Sequence, residues 1–222
     1  MIVAFEGIDG AGKNTLVTAL LDALGGARSG EDVPGGFQAV HTLSFPCYDT
    51  SIHAQLASSA LHGDMGDLAD SAHGMATLFA LDRYGQRECL ERYSGQADEL
   101  LLLDRYVASN AAYTSARTGD VADRGWVAEL EFGRLGLPRP DLQVLVDASP
   151  DVARERAKRR EALDASRTRD RYERDAALQD ATSTAYEDMA RTNWEGRWVR
   201  ATNVQPIIQA MGAFREWRQP DG

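Results

Sequence analysis

The sequence predicts an α/β fold, a mainly parallel five-stranded sheet flanked by helices. Three observations carry this expectation. Short apolar runs of strand length recur along the chain, longer segments with helical spacing separate them, and a glycine-rich loop follows directly on the first run.

The strands read in order as Ile2–Phe5, Ala39–Phe45, Leu100–Leu103 and Leu142–Val146, with Trp198–Ala201 a weaker fifth. Their near-continuous apolar character suits parallel strands covered on both faces. Helical patterns occupy Asn14–Leu24, Ala72–Tyr93, Trp126–Leu135 and Arg171–Met189. In the last of these Leu178, Ala181, Ala185 and Met189 recur at helical steps, which predicts one buried face. Gly25–Gly36 reads as a surface loop with no assigned chemistry.

A chain of 222 residues with 43% hydrophobic content can bury one sizeable core, so a single domain over 1–222 is expected. The start, Met1-Ile2-Val3-Ala4-Phe5, lacks the basic and long apolar segments of a secretion signal, and no apolar run is long enough for a bilayer. Cys47 and Cys89 lie far apart, as in a reducing cytoplasm, which is the expected location. A net charge of −10 argues against a nucleic-acid coat protein. Arginines nevertheless crowd the stretch from Arg154 to Arg174. Composition alone leaves two readings open there, a solvated helix with interleaved ion pairs or a dock for an anion.

In open parallel sheets ligands gather at the carboxyl ends of the strands, so the residues there should be chemically unusual. After Phe5 comes Glu6-Gly7-Ile8-Asp9-Gly10-Ala11-Gly12-Lys13, the GxxxxGK pattern between a strand and a helix. Its glycines let backbone N–H groups curl around a polyphosphate, the helix start adds a positive end, and Lys13 a mobile charge. The motif usually continues with a hydroxyl residue that binds magnesium. Here Asn14 stands in that position with Thr15 next, so Asn14 is expected to reach the ion weakly or through water, and Thr15 to contact a phosphate. Asp104-Arg105-Tyr106 follows the apolar Leu100–Leu103 run and offers a carboxylate for magnesium and a guanidinium for an acceptor phosphate.

Four motifs in register then make the sequence specific: Phe5 to Lys13, Phe79-Ala80-Leu81-Asp82-Arg83, Asp104-Arg105-Tyr106 through Asn110-Ala111-Ala112-Tyr113, and Arg169-Asp170-Arg171-Tyr172-Glu173-Arg174. Together they resemble bacterial thymidylate kinases, actinobacterial members in particular, over most of the chain. The resemblance implies a phosphate-loop nucleoside monophosphate kinase fold with a lid at about 151–170, and transfer of the γ-phosphoryl group of Mg-ATP to dTMP. It also implies a homodimer with helical contacts involving Ala72–Tyr93 and Trp126–Leu135.

By the same resemblance Phe79 stacks on thymine and Arg83 bonds its O4, Asn110 reads N3, and Tyr113 crowds the sugar against a ribose. Asp9 meets the sugar and the magnesium shell, Tyr48 and Arg105 the acceptor phosphate, and Tyr172 and Glu173 the sugar and the ion. Magnesium ligation thus falls to Asp9, Asp104 and Glu173. The ATP side comprises Gly7, Asp9, Gly10, Ala11, Gly12, Lys13, Asn14 and Thr15. Lid arginines complete it, Arg160 for the transferring group, with Arg159 as the alternative register, and Arg156 and Arg167 in support. Lys13, Arg105, Arg160 and Asp9 are the expected catalytic set. Cys47 stands where many family members have an arginine nearby, which leaves more of the phosphate recognition to Arg105.

Taken singly, several of these residues have plainer readings: Phe79 as a core aromatic, Arg83 as a surface partner of Asp82, Asn110 as a turn cap, Tyr113 as packing. Other nucleoside monophosphate kinases and deoxynucleoside kinases share the loop. A nucleotide switch is disfavoured by the lack of an NKxD segment, and a metal hydrolase by the spacing of His41, His53, His62 and His73.

Overall fold

The computed structural model describes residues 1–25, 37–96, 98–163 and 170–218, and for 158, 160–163 and 214–218 the backbone only. Five parallel strands form one sheet in the order β2-β3-β1-β4-β5. They are β1 (Ile2–Glu6), β2 (Ala39–Ser44), β3 (Glu99–Asp104), β4 (Leu142–Val146) and β5 (Trp198–Ala201). The three central strands are the apolar ones, and Leu100, Leu101, Leu102 and Leu103 are all essentially inaccessible. Each contributes about 1.5–3 kcal/mol through area removed from water. The edge strands β2 and β5 carry the exposed polar residues.

Register decides what faces the carboxyl edge. Phe5 is level with Asp104 on β3 and with Val144 on β4, so Glu6 and the residues after Asp104 emerge side by side. Strand order departs from chain order at β1, whose neighbours are β3 and β4. That is the switch point at which such sheets form a crevice.

The helices are α1 (Lys13–Ala23), α2 (Ile52–His62), α3 (Ala72–Tyr84), α4 (Arg87–Tyr93), α5 (Val107–Thr118), α6 (Ala122–Ala128), α7 (Pro150–Leu163), α8 (Arg171–Arg174), α9 (Ala176–Thr192) and α10 (Gln205–Arg218). Two long predicted helices are each divided. Ala72–Tyr93 breaks at Gly85-Gln86 into α3 and α4. Arg171–Met189 breaks at Asp175, whose side chain accepts from the Leu178 amide and so starts α9 afresh. The third, Trp126–Leu135, begins earlier at Ala122 and changes at Glu129 into a π-helical turn, Glu129–Arg134.

The buried stripe of α9 also differs from the expected one. Gln179, Thr182, Ala185, Tyr186 and Met189 face inward while Ala181 is exposed. Gln179 tolerates burial because it bonds Tyr113 and the Tyr172 carbonyl, a pairing that hydrophobic spacing cannot register. The main core surrounds the sheet. A smaller cluster of Ala57, Ala60, Leu61, Ala69, Met75 and Tyr172 lies between α2, α3 and α8. Most of the predicted Gly25–Gly36 loop, 26–36, lies outside the described residues, as do 164–169 of the predicted lid. Among the described residues no helix is long and apolar enough to cross a membrane.

Candidate active site

The loop after β1 is built on backbone that side chains rarely adopt: Gly7, Gly10 and Gly12 have φ of 147°, 83° and 103°. At Gly10 a Cβ would also come within 2.1 Å of the Ala153 carbonyl, so the loop and α7 approach as closely as glycine allows. Gly12 precedes α1 and gives no side-chain cap, which leaves the first amides of that helix for another acceptor. Lys13 lies back along the loop, its Nζ donating to the carbonyls of Gly7 (3.0 Å) and Ile8 (3.1 Å). Burial, and then Arg105, lower its pKa to about 8. Arg156 donates to the Ala11 carbonyl at 3.1 Å and ties α7 to the loop.

Beside this loop opens a broad cleft of about 750 Å³, lined by Gly12, Thr15, Arg156 and, from the far end of the sheet, Thr202, Asn203 and Val204. Asn14 is exposed and its Oδ1 accepts from Thr18. The backbone of Arg160 belongs to α7, but its side chain and the whole of Arg167 lie outside the described residues.

At the head of α5 stands Arg105, a non-glycine residue with φ of 68°. Its Nη1 donates to the Gly7 carbonyl (3.1 Å) and to Ser109 (3.2 Å), and its Nη2 to Asp9. The other oxygen of Asp9 accepts from the Tyr113 hydroxyl at 2.7 Å. Burial opposes both charges of this pair, and each partner outweighs it for the other. Asp9 is held well below the usual carboxyl range by Arg105 and Lys13, and Arg105 well above the usual arginine range by Asp9.

Below them Glu6 is fully buried. It accepts from the Tyr106 amide (2.9 Å), Ser109 (2.6 Å) and Tyr186 (3.3 Å), and burial pushes its pKa up. Sequence reasoning missed Glu6, which looked like the last residue before the loop.

On the other side of Asp9 and Arg105 lies a smaller cavity of about 230 Å³. It brings together every residue assigned to the acceptor: Asp9, Tyr48, Phe79, Arg83, Arg105, Asn110, Tyr113 and Tyr172, with Asp170 and Glu173 beside them. Arg83 is no surface residue and Asp82 is not its hydrogen-bonding partner. The guanidinium is 3% exposed and grips Glu131 through Nε (2.5 Å) and Nη2 (2.7 Å). Burial works against its charge and Glu131 overcomes that effect. Asp82 accepts instead from the Cys47 amide.

Asn110 gives its Nδ2 hydrogens to the Ala76 carbonyl (2.9 Å) and to Glu131 (2.8 Å). The rings of Tyr113 and Tyr172 stack 5.9 Å apart, and Arg117 holds the Tyr172 hydroxyl. Cys47 is buried, its thiol raised to about 11 by burial and then by Asp82, so it stays neutral.

Glu131 and Arg117 were also missed. Glu131 sits in Glu129-Leu130-Glu131-Phe132, which in sequence looks like one turn of a solvated helix. As for metal ligands, Asp9 and Glu173 line the cavity while Asp104 does not, and one buried oxygen of Asp104 has no hydrogen-bond partner among the described residues. Among the described residues no three acidic, histidine or cysteine side chains could hold a metal by themselves.

A phosphate-binding loop at a parallel-sheet switch point, a broad cleft on one side and on the other a cavity of largely apolar walls with converging polar side chains define a nucleotide phosphotransferase of the nucleoside monophosphate kinase type. The family model described as thymidylate kinase matches residues 5–203. The chain belongs to the thymidylate kinase family, transferases of nucleotide biosynthesis.

It is 47% identical over 210 residues to the thymidylate kinase of Mycobacterium tuberculosis, covering 93% of this chain and 94% of that one. To the thymidylate kinase of Leifsonia xyli subsp. xyli it is 34% identical, over 78% of this chain and 73% of the relative. A solved structure of thymidylate kinase from Candida albicans aligns over 97% of this chain and 91% of its own with a TM-score of 0.64. At 17% identity that likeness bears on the fold.

Proposed function

We propose that this thymidylate kinase, acting as a single domain with a lid at about 151–170, binds ATP along the loop and broad cleft, and dTMP in the smaller cavity. The γ-phosphoryl group then passes between them beside Asp9 and Arg105. The P–O bond to the leaving ADP breaks and a bond to a phosphate oxygen of dTMP forms, giving dTDP for dTTP synthesis. The acceptor is already an anion, so no general base is required and catalysis is positioning and charge neutralisation.

In this reading Lys13, the amides from Gly7 to Thr15, and Arg156 hold the donor, with Arg160 and Arg167 brought by the lid. Arg105 and Tyr48 hold the acceptor phosphate, Tyr113 and Tyr172 flank the sugar, and Phe79 stacks on the base. Mg²⁺ would rest on Asp9, Asp104 and Glu173 together with phosphate oxygens, since few protein ligands and shared phosphates suit that ion. The buried oxygen of Asp104 that lacks a partner supports its part in the set. When bound, the ion neutralises charge on the transferring phosphates.

The observation that carries the acceptor assignment is the pair Arg83 and Asn110. With both Nδ2 hydrogens committed, Asn110 has its carbonyl oxygen left for the cavity, next to a guanidinium donor. An acceptor beside a donor matches the N3–H and O4 edge of thymine. Assays of ADP formation with dTMP, dUMP, dCMP, AMP and thymidine test the proposal. It expects dTMP to lead, and faster turnover of dCMP or AMP would overturn it.

A cytoplasmic homodimer completes the reading. Exposed Tyr84, Val121 and Trp126 on and next to the two helices expected at the interface support it, and sedimentation as a monomer would contradict it.

A further inference from the structure

We infer that Glu131, a residue that does not line the cavity, is the positioning residue that sets which pyrimidine the cavity accepts, by fixing the orientation of both base-reading side chains. The inference rests on the acceptor assignment proposed above and extends it one layer deeper.

An asparagine amide has nearly the same shape with its oxygen and nitrogen exchanged, so its orientation is decided by what surrounds it. Around Asn110 two acceptors converge, the Ala76 carbonyl on α3 and Glu131 Oε1. Exchanging the amide would set its oxygen against both. The Ala76 carbonyl is fixed by its helix, and Glu131 is fixed as an acceptor because both of its oxygens already accept hydrogen bonds from Arg83. The same contact takes Nε and one hydrogen of Nη2 of Arg83, and because Arg83 lines the cavity, its remaining Nη hydrogens are the donors left for a ligand there. One wholly inaccessible carboxylate therefore sets a fixed order of acceptor and donor.

The π-helical turn makes this reach possible. Leu135 bonds back five residues to the Leu130 carbonyl, and Leu137 caps the Glu131 carbonyl. With the chain wound this way Glu131 and Phe132 both turn inward, while Glu129 and Arg134 stay exposed.

The consequence is discrimination at one edge of the ring. Thymine and uracil give a proton at N3 and accept at O4. Cytosine accepts at N3 and gives at its amino group, so it meets acceptor with donor reversed at both positions.

Glu131→Gln, which preserves shape, is the direct test. Its amide nitrogen would have to oppose a donor in either orientation, Asn110 Nδ2 and Arg83 Nη2 at the Oε1 position or Arg83 Nε at the Oε2 position, so the hold on at least one base-reading side chain is lost. The KM for dTMP should rise at least about ten-fold, with that for ATP within about two-fold. The ratio of kcat/KM for dTMP over dCMP should fall by about ten-fold or more. A merely structural role would move both substrates' constants together and leave the ratio unchanged, and that result would overturn the inference.

Glu131→Asp keeps the charge beside Arg83 while withdrawing the oxygen from Asn110. It should lower the ratio in the same direction if the first variant does not fold, and an unchanged ratio there would count equally against the idea. A third arm leaves the chain intact. 3-Methyl-dTMP has no N3–H to give and should bind the parent protein at least about ten-fold more weakly than dTMP. Equal binding would mean that Asn110 is not held with its carbonyl outward. Absence of dTMP turnover in the parent protein would instead defeat the acceptor assignment itself.

Discussion

In the smaller cavity, proposed above for the acceptor, the polar side chains hold one another. Glu131 binds Arg83 and Asn110, Asp9 binds Arg105 and Tyr113, and Arg117 binds Tyr172. On the donor side the cations rest on backbone carbonyls, Lys13 on Gly7 and Ile8, and Arg156 on Ala11. The difference has an energetic meaning. Side chains locked in charged pairs are pre-organised and change little when a base enters, which favours selectivity. Cations on neutral carbonyls exchange readily for phosphate oxygens, because an anionic acceptor adds a Coulombic attraction that a neutral carbonyl lacks.

The comparison is broken most severely at Lys13. Lys13→Met should lower kcat by about 10³-fold, since the cation is meant to leave its carbonyls for the transferring phosphates. A loss under ten-fold would mean that it stays on the loop. Arg160→Ala should cost about 10²-fold in turnover with little change in dTMP affinity. Near-normal turnover would remove that arginine from the mechanism and return attention to Arg159.

Phe79→Ala sharpens the other half. Loss of a stacking face should raise the KM for dTMP by about ten-fold or more while leaving that for ATP within two-fold. Equal changes would place the base elsewhere. The smallest effect is one of pH. A Lys13 pKa lowered to about 8 means that the free protein loses this proton as pH rises past that value. The kcat/KM for ATP should therefore fall above pH 8, by about ten-fold at pH 9. Bound polyphosphate should restore the proton, so kcat should hold to higher pH.

Much of this architecture was legible in the sequence. Hydrophobic runs bounded by turn residues placed all five strands within a residue or so, most plainly the three central ones, whose burial on both faces leaves a near-continuous apolar pattern. The loop glycines were readable because their spacing after a strand demands backbone that other residues rarely adopt. Less visible were contacts made across the sequence by residues of ordinary appearance. Glu6 and Glu131 resemble a loop flank and a solvated helix, and only burial with specific partners distinguishes them.

Helix breaks were missed for a related reason. Asp175 is as compatible with a helix interior as with a cap until its bond to the Leu178 amide is seen. The α9 stripe shifted because Gln179 and Thr182 are buried polar residues, which hydrophobic periodicity counts as outward.

On the proposed function, a pyrimidine monophosphate occupies the cavity beyond Asp9 and Arg105 with its base read by Arg83 and Asn110. A crystal structure with dTMP bound tests it most directly. The ring should lie against Phe79, with O4 within hydrogen-bonding distance of Arg83 and N3 facing the Asn110 carbonyl oxygen. Thymine bound outside this cavity, or facing the Asn110 nitrogen, would contradict it.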